Sequence, residues 1–67
     1  MNSDREVWRT AWELVSEHGE QAPVEAGLRA FELLEEGKAE ACGTWQRIML
    51  RTEELLKLGP FEAGRAH

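Results

Sequence analysis

Sixty-seven residues hold one domain at most. A chain this short buries only about 60% of its unfolded surface, and its single cysteine excludes an internal disulfide. The net charge of −5 argues against electrostatically driven binding to nucleic acid or anionic membranes. The apolar fraction of 42% argues against disorder, and no apolar run approaches the roughly 20 residues of a membrane span.

Ser3-Asp4-Arg5-Glu6 reads as a capping box, with the Ser3 hydroxyl and the Glu6 carboxylate each accepting the other's backbone N–H. It predicts a first helix over about 4–18, closed by Gly19 as the residue past its end and by His18 against the negative end of the dipole. Val7, Trp8, Ala11, Trp12, Leu14, Val15 and His18 fall on one broad face. The opening MNSDREVW is polar and acidic and does not read as a signal peptide. A cytoplasmic protein is therefore expected, and its small size points to a bacterial or phage origin.

Pro23 suits the first turn of a second helix, predicted over about 22–36 and stopped by Gly37. Val24, Gly27, Leu28, Phe31 and Leu34 are assigned to its buried face. Ala26, Ala30 and Leu33 are assigned to the exposed one. A third helix is predicted over about 38–58, ended by Gly59-Pro60, with Ala41, Trp45, Ile48, Met49, Thr52, Leu55 and Leu56 at helical spacing. Residues 61–67 read as a frayed tail behind a domain spanning 1–60. Three helices with short connections predict an all-α, antiparallel three-helix bundle. Trp8, Trp12, Phe31 and Trp45 are its large core candidates.

The features Trp8, His18-Gly19, Leu33 to Gly37, Trp45 to Ile48 and Leu55-Leu56 cover about three-quarters of the chain. The chain resembles a group of short alphaproteobacterial proteins with a tryptophan-bearing first helix ending in His-Gly. In that group an alanine-rich helix follows, then a Leu-x-x-x-Gly turn and a helix with Trp-x-x-Ile and a leucine pair. They form a domain of unknown function, so the resemblance implies a helical fold and assigns no catalytic or binding residue.

Few residues carry chemistry. Cys42 lies near the start of the third helix with no histidine placed to activate it, so a buried or boundary thiol is expected over a redox sensor. Glu13, Glu17 and His18 do not converge as a metal site. Outward Arg47, Arg51 and Lys57 are interrupted by Glu53 and Glu54, which argues against a DNA-reading helix. Gly43 falls on the outer face of the third helix. Either that helix starts late, with Thr44 as its N-cap, or it runs through Gly43; the unbroken apolar phase from Ala41 to Ile48 favours the latter.

These readings converge on a small acidic protein-interaction module without catalytic activity, cofactor or metal. Its expected partner is a second copy, as a homodimer, or a basic protein surface, with no nucleic acid and no membrane. Trp12, Leu33 and Leu50 are the candidate anchors, and Glu32, Glu35, Glu36 and Glu40 a polar rim; Gly43 marks a place where a partner could reach the backbone. The alternatives are an inhibitor from a phage or mobile element that masks a basic nucleic-acid-binding surface, and a thiol sensor using Cys42.

Overall fold

The computed structural model describes residues 4–58. Ser3 of the capping box, Gly59-Pro60 and the 61–67 tail lie outside them. Helix α1 spans Asp4–His18, a single 3₁₀ turn Gly19–Gln21 follows, and α2 spans Ala22–Glu35 and α3 Ala39–Lys57. No strand occurs among the described residues.

The three helical segments match the predicted ones to within a residue or so, but they form a helical hairpin rather than a clear three-helix bundle. Between α1 and α2, Gly19 alone turns left-handed, with φ 61°. His18 before it and Gln21 and Ala22 after it keep right-handed helical angles. One left-handed residue bends the chain without reversing it, so α1 and α2 make one long bent arm. A straight helix over this span would be about 48 Å long, against an observed longest dimension of 44 Å.

The true reversal is at residues 36–38. The Gly37 N–H donates to the Leu34 carbonyl at 3.0 Å and the Lys38 N–H to the Leu33 carbonyl at 2.9 Å. These are the two bonds of a Schellman closure, and Gly37 at φ 79° supplies its left-handed residue. Lys38 then takes φ −98°, ψ 73°, also outside the helix. Two successive non-helical residues turn α3 back along the arm, where it packs most on α2 and also on α1.

The core is built from small side chains. Val7, Ala11 and Val15 of α1 are buried, as are Ala22, Ala26, Ala30 and Leu33 of α2 and Cys42, Ile48 and Thr52 of α3. One cluster joins Val7, Ala11, Ala26 and Ile48, and another joins Ala30, Leu33 and Cys42. Half-buried Trp45 packs against both. The buried Thr52 hydroxyl donates to the Met49 carbonyl one turn back, so it is not left unpaired.

Two expectations are corrected. The faces of α2 are exchanged: Ala26, Ala30 and Leu33 point inward, while Val24, Leu28, Phe31 and Leu34 point out. The alanines let α2 come close to its neighbours, and helix spacing depends on the side chains at the contact. Nor do the aromatics fill the core: Trp12 and Phe31 are exposed, Trp8 and Trp45 half-buried.

α3 runs unbroken through Gly43. The Thr44 hydroxyl donates to the Glu40 carbonyl at 3.2 Å, inside the helix and not as its cap. A Cβ built on Gly43 meets nothing within 4 Å. Gly43→Ala is therefore expected to stabilise the fold by about 0.8–1 kcal/mol. Gly37→Ala, forced into a left-handed conformation, is expected to cost about 1–2 kcal/mol. Paired urea titrations read both shifts, and equal signs would contradict the geometry.

Candidate interaction surface

The exposed side of α2 is the dominant surface feature. Val24, Leu28, Phe31 and Leu34 recur at i, i+4, i+7 and i+10, so they form one stripe. Their exposures are 53%, 55%, 57% and 55%. Fully burying such a side chain is worth roughly 1.5–3 kcal/mol, so the four leave roughly 3–7 kcal/mol of burial unrealised. Burial by bulk alone would turn this side inward and leave the alanines in water. This chain does the reverse.

Apolar residues cover most of α2. Glu25, Arg29 and Glu32 occupy one narrow flank, and Glu35 continues the stripe at its C-terminal end. A helix apolar nearly all round is normally covered on all sides. One side of α2 is covered by α1 and α3; the other is bare.

Beside the stripe, α2 and α3 frame a shallow apolar cleft of about 220 Å³. Gly27, Ala30, Phe31 and Leu34 line it from α2, and Cys42, Gln46 and Met49 from α3. Gly27 keeps its floor open: a Cβ there would lie 3.4 Å from the Met49 sulfur. The cleft has no charged lining residue, so it suits an apolar side chain better than a polar ligand.

A second, more open groove on α1 is lined by Arg5, Trp8, Arg9, Trp12 and Glu13. The Arg51 guanidinium sits 5.1 Å from the centre of the Trp8 ring and pairs with Glu54 at 3.2 Å. Arg29 lies 5.9 Å from the Trp45 ring centre. Both contacts use tryptophan faces to shelter cations, and neither assembles a reactive group.

The predicted anchors separate. Trp12 lines the α1 groove, and exposed Leu50 lines neither groove. Leu33 is buried beside Ala30 and Cys42, because the exchanged α2 face carries it inward. Glu32, Glu35, Glu36 and Glu40 are exposed. Glu32 pairs with Arg29 at 3.7 Å and Glu36 with Lys38 at 3.2 Å. Such surface pairs contribute about 0–1 kcal/mol each, and they partly neutralise the acidic turn. Gly43 lines neither groove.

Cys42 is 5% exposed and packs within the core. Glu17 approaches His18 at 3.8 Å, and no group of three potential metal ligands forms among the described residues. No helix among them is long and apolar enough to cross a membrane.

The residues missed by sequence reasoning are those of the stripe, whose bulk assigned them to the interior. The available signal was the narrow polar flank of α2, which leaves no broad side for water. No protein-family model, curated protein or solved structure matches this chain.

Proposed function

We propose that this chain is a non-catalytic protein-interaction module. It docks through the stripe Val24, Leu28, Phe31 and Leu34 and the cleft beside it. The observation that carries this reading is the exchanged α2 face: the helix buries its alanines and presents its bulkiest side chains. Contiguous apolar patches of this kind mark interaction sites in soluble proteins. Glu32 beside the stripe and Glu35 at its C-terminal end serve as its polar rim. The acidic composition fits a cytoplasmic adaptor. A covering helix would also complete a closed bundle, which the hairpin alone does not. The burial of Cys42 weighs against the thiol-sensor alternative, since a reactive thiol needs access.

Cysteine protection tests the reading. In a Cys42→Ala background, Val24→Cys reports on the stripe and Glu13→Cys serves as control. The two native side chains have similar exposure, 53% for Val24 as a residue and 59% for the Glu13 side chain. In cells at native abundance, alkylation at position 24 is expected to run at least about tenfold slower than at position 13. Equal rates would mean that the stripe is bare in the cell and that it is not a docking face.

A further inference from the structure

We infer that the occupant of the α2 face is a second copy of this chain, packed with the two α2 helices antiparallel. This rests on the docking reading above and adds the identity of the partner.

The first ground is that the face carries both halves of a helix-in-groove contact. That mode needs an amphipathic helix with anchors at i, i+4 and i+7, and an apolar groove to receive them. Val24, Leu28 and Phe31 are such anchors. The cleft between Gly27, Leu34, Gln46 and Met49 is such a groove, and Phe31 stands on its edge. A surface that is ligand and receptor at once satisfies a two-fold, isologous contact, in which one patch serves both subunits.

The second ground is the core. Its largest fully buried side chains are Val7, Val15 and Thr52. A chain of 67 residues with one cysteine has no internal disulfide to compensate. Oligomerisation is a common remedy in chains of this size. A foreign partner would leave the free chain marginal, whereas a second copy is present whenever the chain is.

The third ground is charge, which selects the orientation. A parallel pair would set Glu35 against its own symmetry mate and bring together the acidic turns holding Glu35, Glu36 and Glu40 of both copies. Like charges so placed repel. An antiparallel pair with its axis between Leu28 and Phe31 sends those turns to opposite ends and sets Glu35 near the apolar start of the partner's helix. Arg29, beside the middle of the stripe, then comes close to its own mate, and the Glu32 that already pairs with each Arg29 at 3.7 Å offsets that contact.

Sedimentation equilibrium on the purified full chain across a dilution series tests the inference. The expected result is a species of twice 7.6 kDa that dissociates on dilution. Phe31→Glu and, independently, Leu28→Glu are expected to weaken association at least 100-fold. Both sites are more than half exposed, and retained helical circular dichroism shows that the monomer still folds. Orientation is read with a short bis-maleimide in the Cys42→Ala background. Leu28→Cys, near the axis, is expected to cross-link to its mate. Val24→Cys is not, because antiparallel packing holds its mate about 16 Å away along the helix axis.

A 7.6 kDa species at every concentration overturns the inference, as does a dimer indifferent to both charge substitutions. Efficient cross-linking at both positions overturns the antiparallel arrangement. A monomer whose position 24 is still protected in cells removes the second copy as occupant and leaves the docking face standing. A monomer unprotected in cells removes both.

Discussion

Enlarging Ala26 to leucine is expected to cost the fold about 1–3 kcal/mol or more, the usual penalty of overpacking a closed core. Trimming Leu28 to alanine is expected to cost the monomer less than about 1 kcal/mol, in keeping with substitutions at exposed sites. The ranking inverts the ordinary one, in which deleting a leucine from a small helical protein is the severe change. It follows from position. Ala26 is fully buried in the cluster with Val7, Ala11 and Ile48, so a longer side chain must displace its neighbours. Leu28 is 55% exposed. Urea denaturation at two protein concentrations checks both halves. The Ala26→Leu loss should be the same at each concentration. The Leu28→Ala loss should appear only at the higher one, where association contributes by mass action. Should Leu28→Ala cost more than about 2 kcal/mol at the lowest concentration, with Ala26→Leu tolerated, the bulky face points inward in solution and the docking reading fails with it.

That same face marks where sequence reasoning stopped. The signals that are local in the chain were legible. Gly19 and Gly37 both take the positive φ expected of residues past a helix end. Helix α3 buries or half-buries the predicted set from Ala41 to Leu56, because Gln46, Arg47, Glu53 and Glu54 leave its periodicity only one apolar face. Cys42 is buried as expected for a free thiol without activating neighbours. Helix α2 was different because both of its sides are apolar. Periodicity identifies a helix there but cannot rank two apolar faces, and ranking them by bulk selects the wrong one. The choice depends on how closely α2 approaches α1 and α3, which alanines permit and Phe31 would not. Placing large side chains outside is consistent with a partner, and a partner is not written in a single chain. The arrangement of the helices was hidden for a similar reason. Gly19 and Gly37 look alike in sequence, yet Gly19 only bends the arm, whereas Gly37 with Lys38 reverses it.

Ile48→Ala is expected to be the most damaging single truncation, at about 2–5 kcal/mol. Ile48 is 4% exposed and joins Val7 and Ala11 of α1 to Ala26 of α2. It is the buried α3 residue that ties both segments of the bent arm into one cluster. The cost depends on how well the vacated space can collapse, and here two of the three buried neighbours are alanines with no side chain to extend into it. Leu14, Trp45, Met49 and Leu55 pack around the cluster, and of these the flexible Met49 is best able to move in. A chain of 67 residues has about 3–10 kcal/mol of stability in total, so the variant should be substantially unfolded when dilute. Far-UV circular dichroism against urea is the direct measurement, with loss of the folded baseline expected at low concentration. If folding and association are coupled, raising the protein concentration should restore helix in Ile48→Ala. In the double variant Ile48→Ala, Phe31→Glu it should not, because the stripe proposed to receive the second copy has been charged. A dilute Ile48→Ala chain whose stability falls by less than about 1 kcal/mol would instead mean that α1 is not held through this cluster.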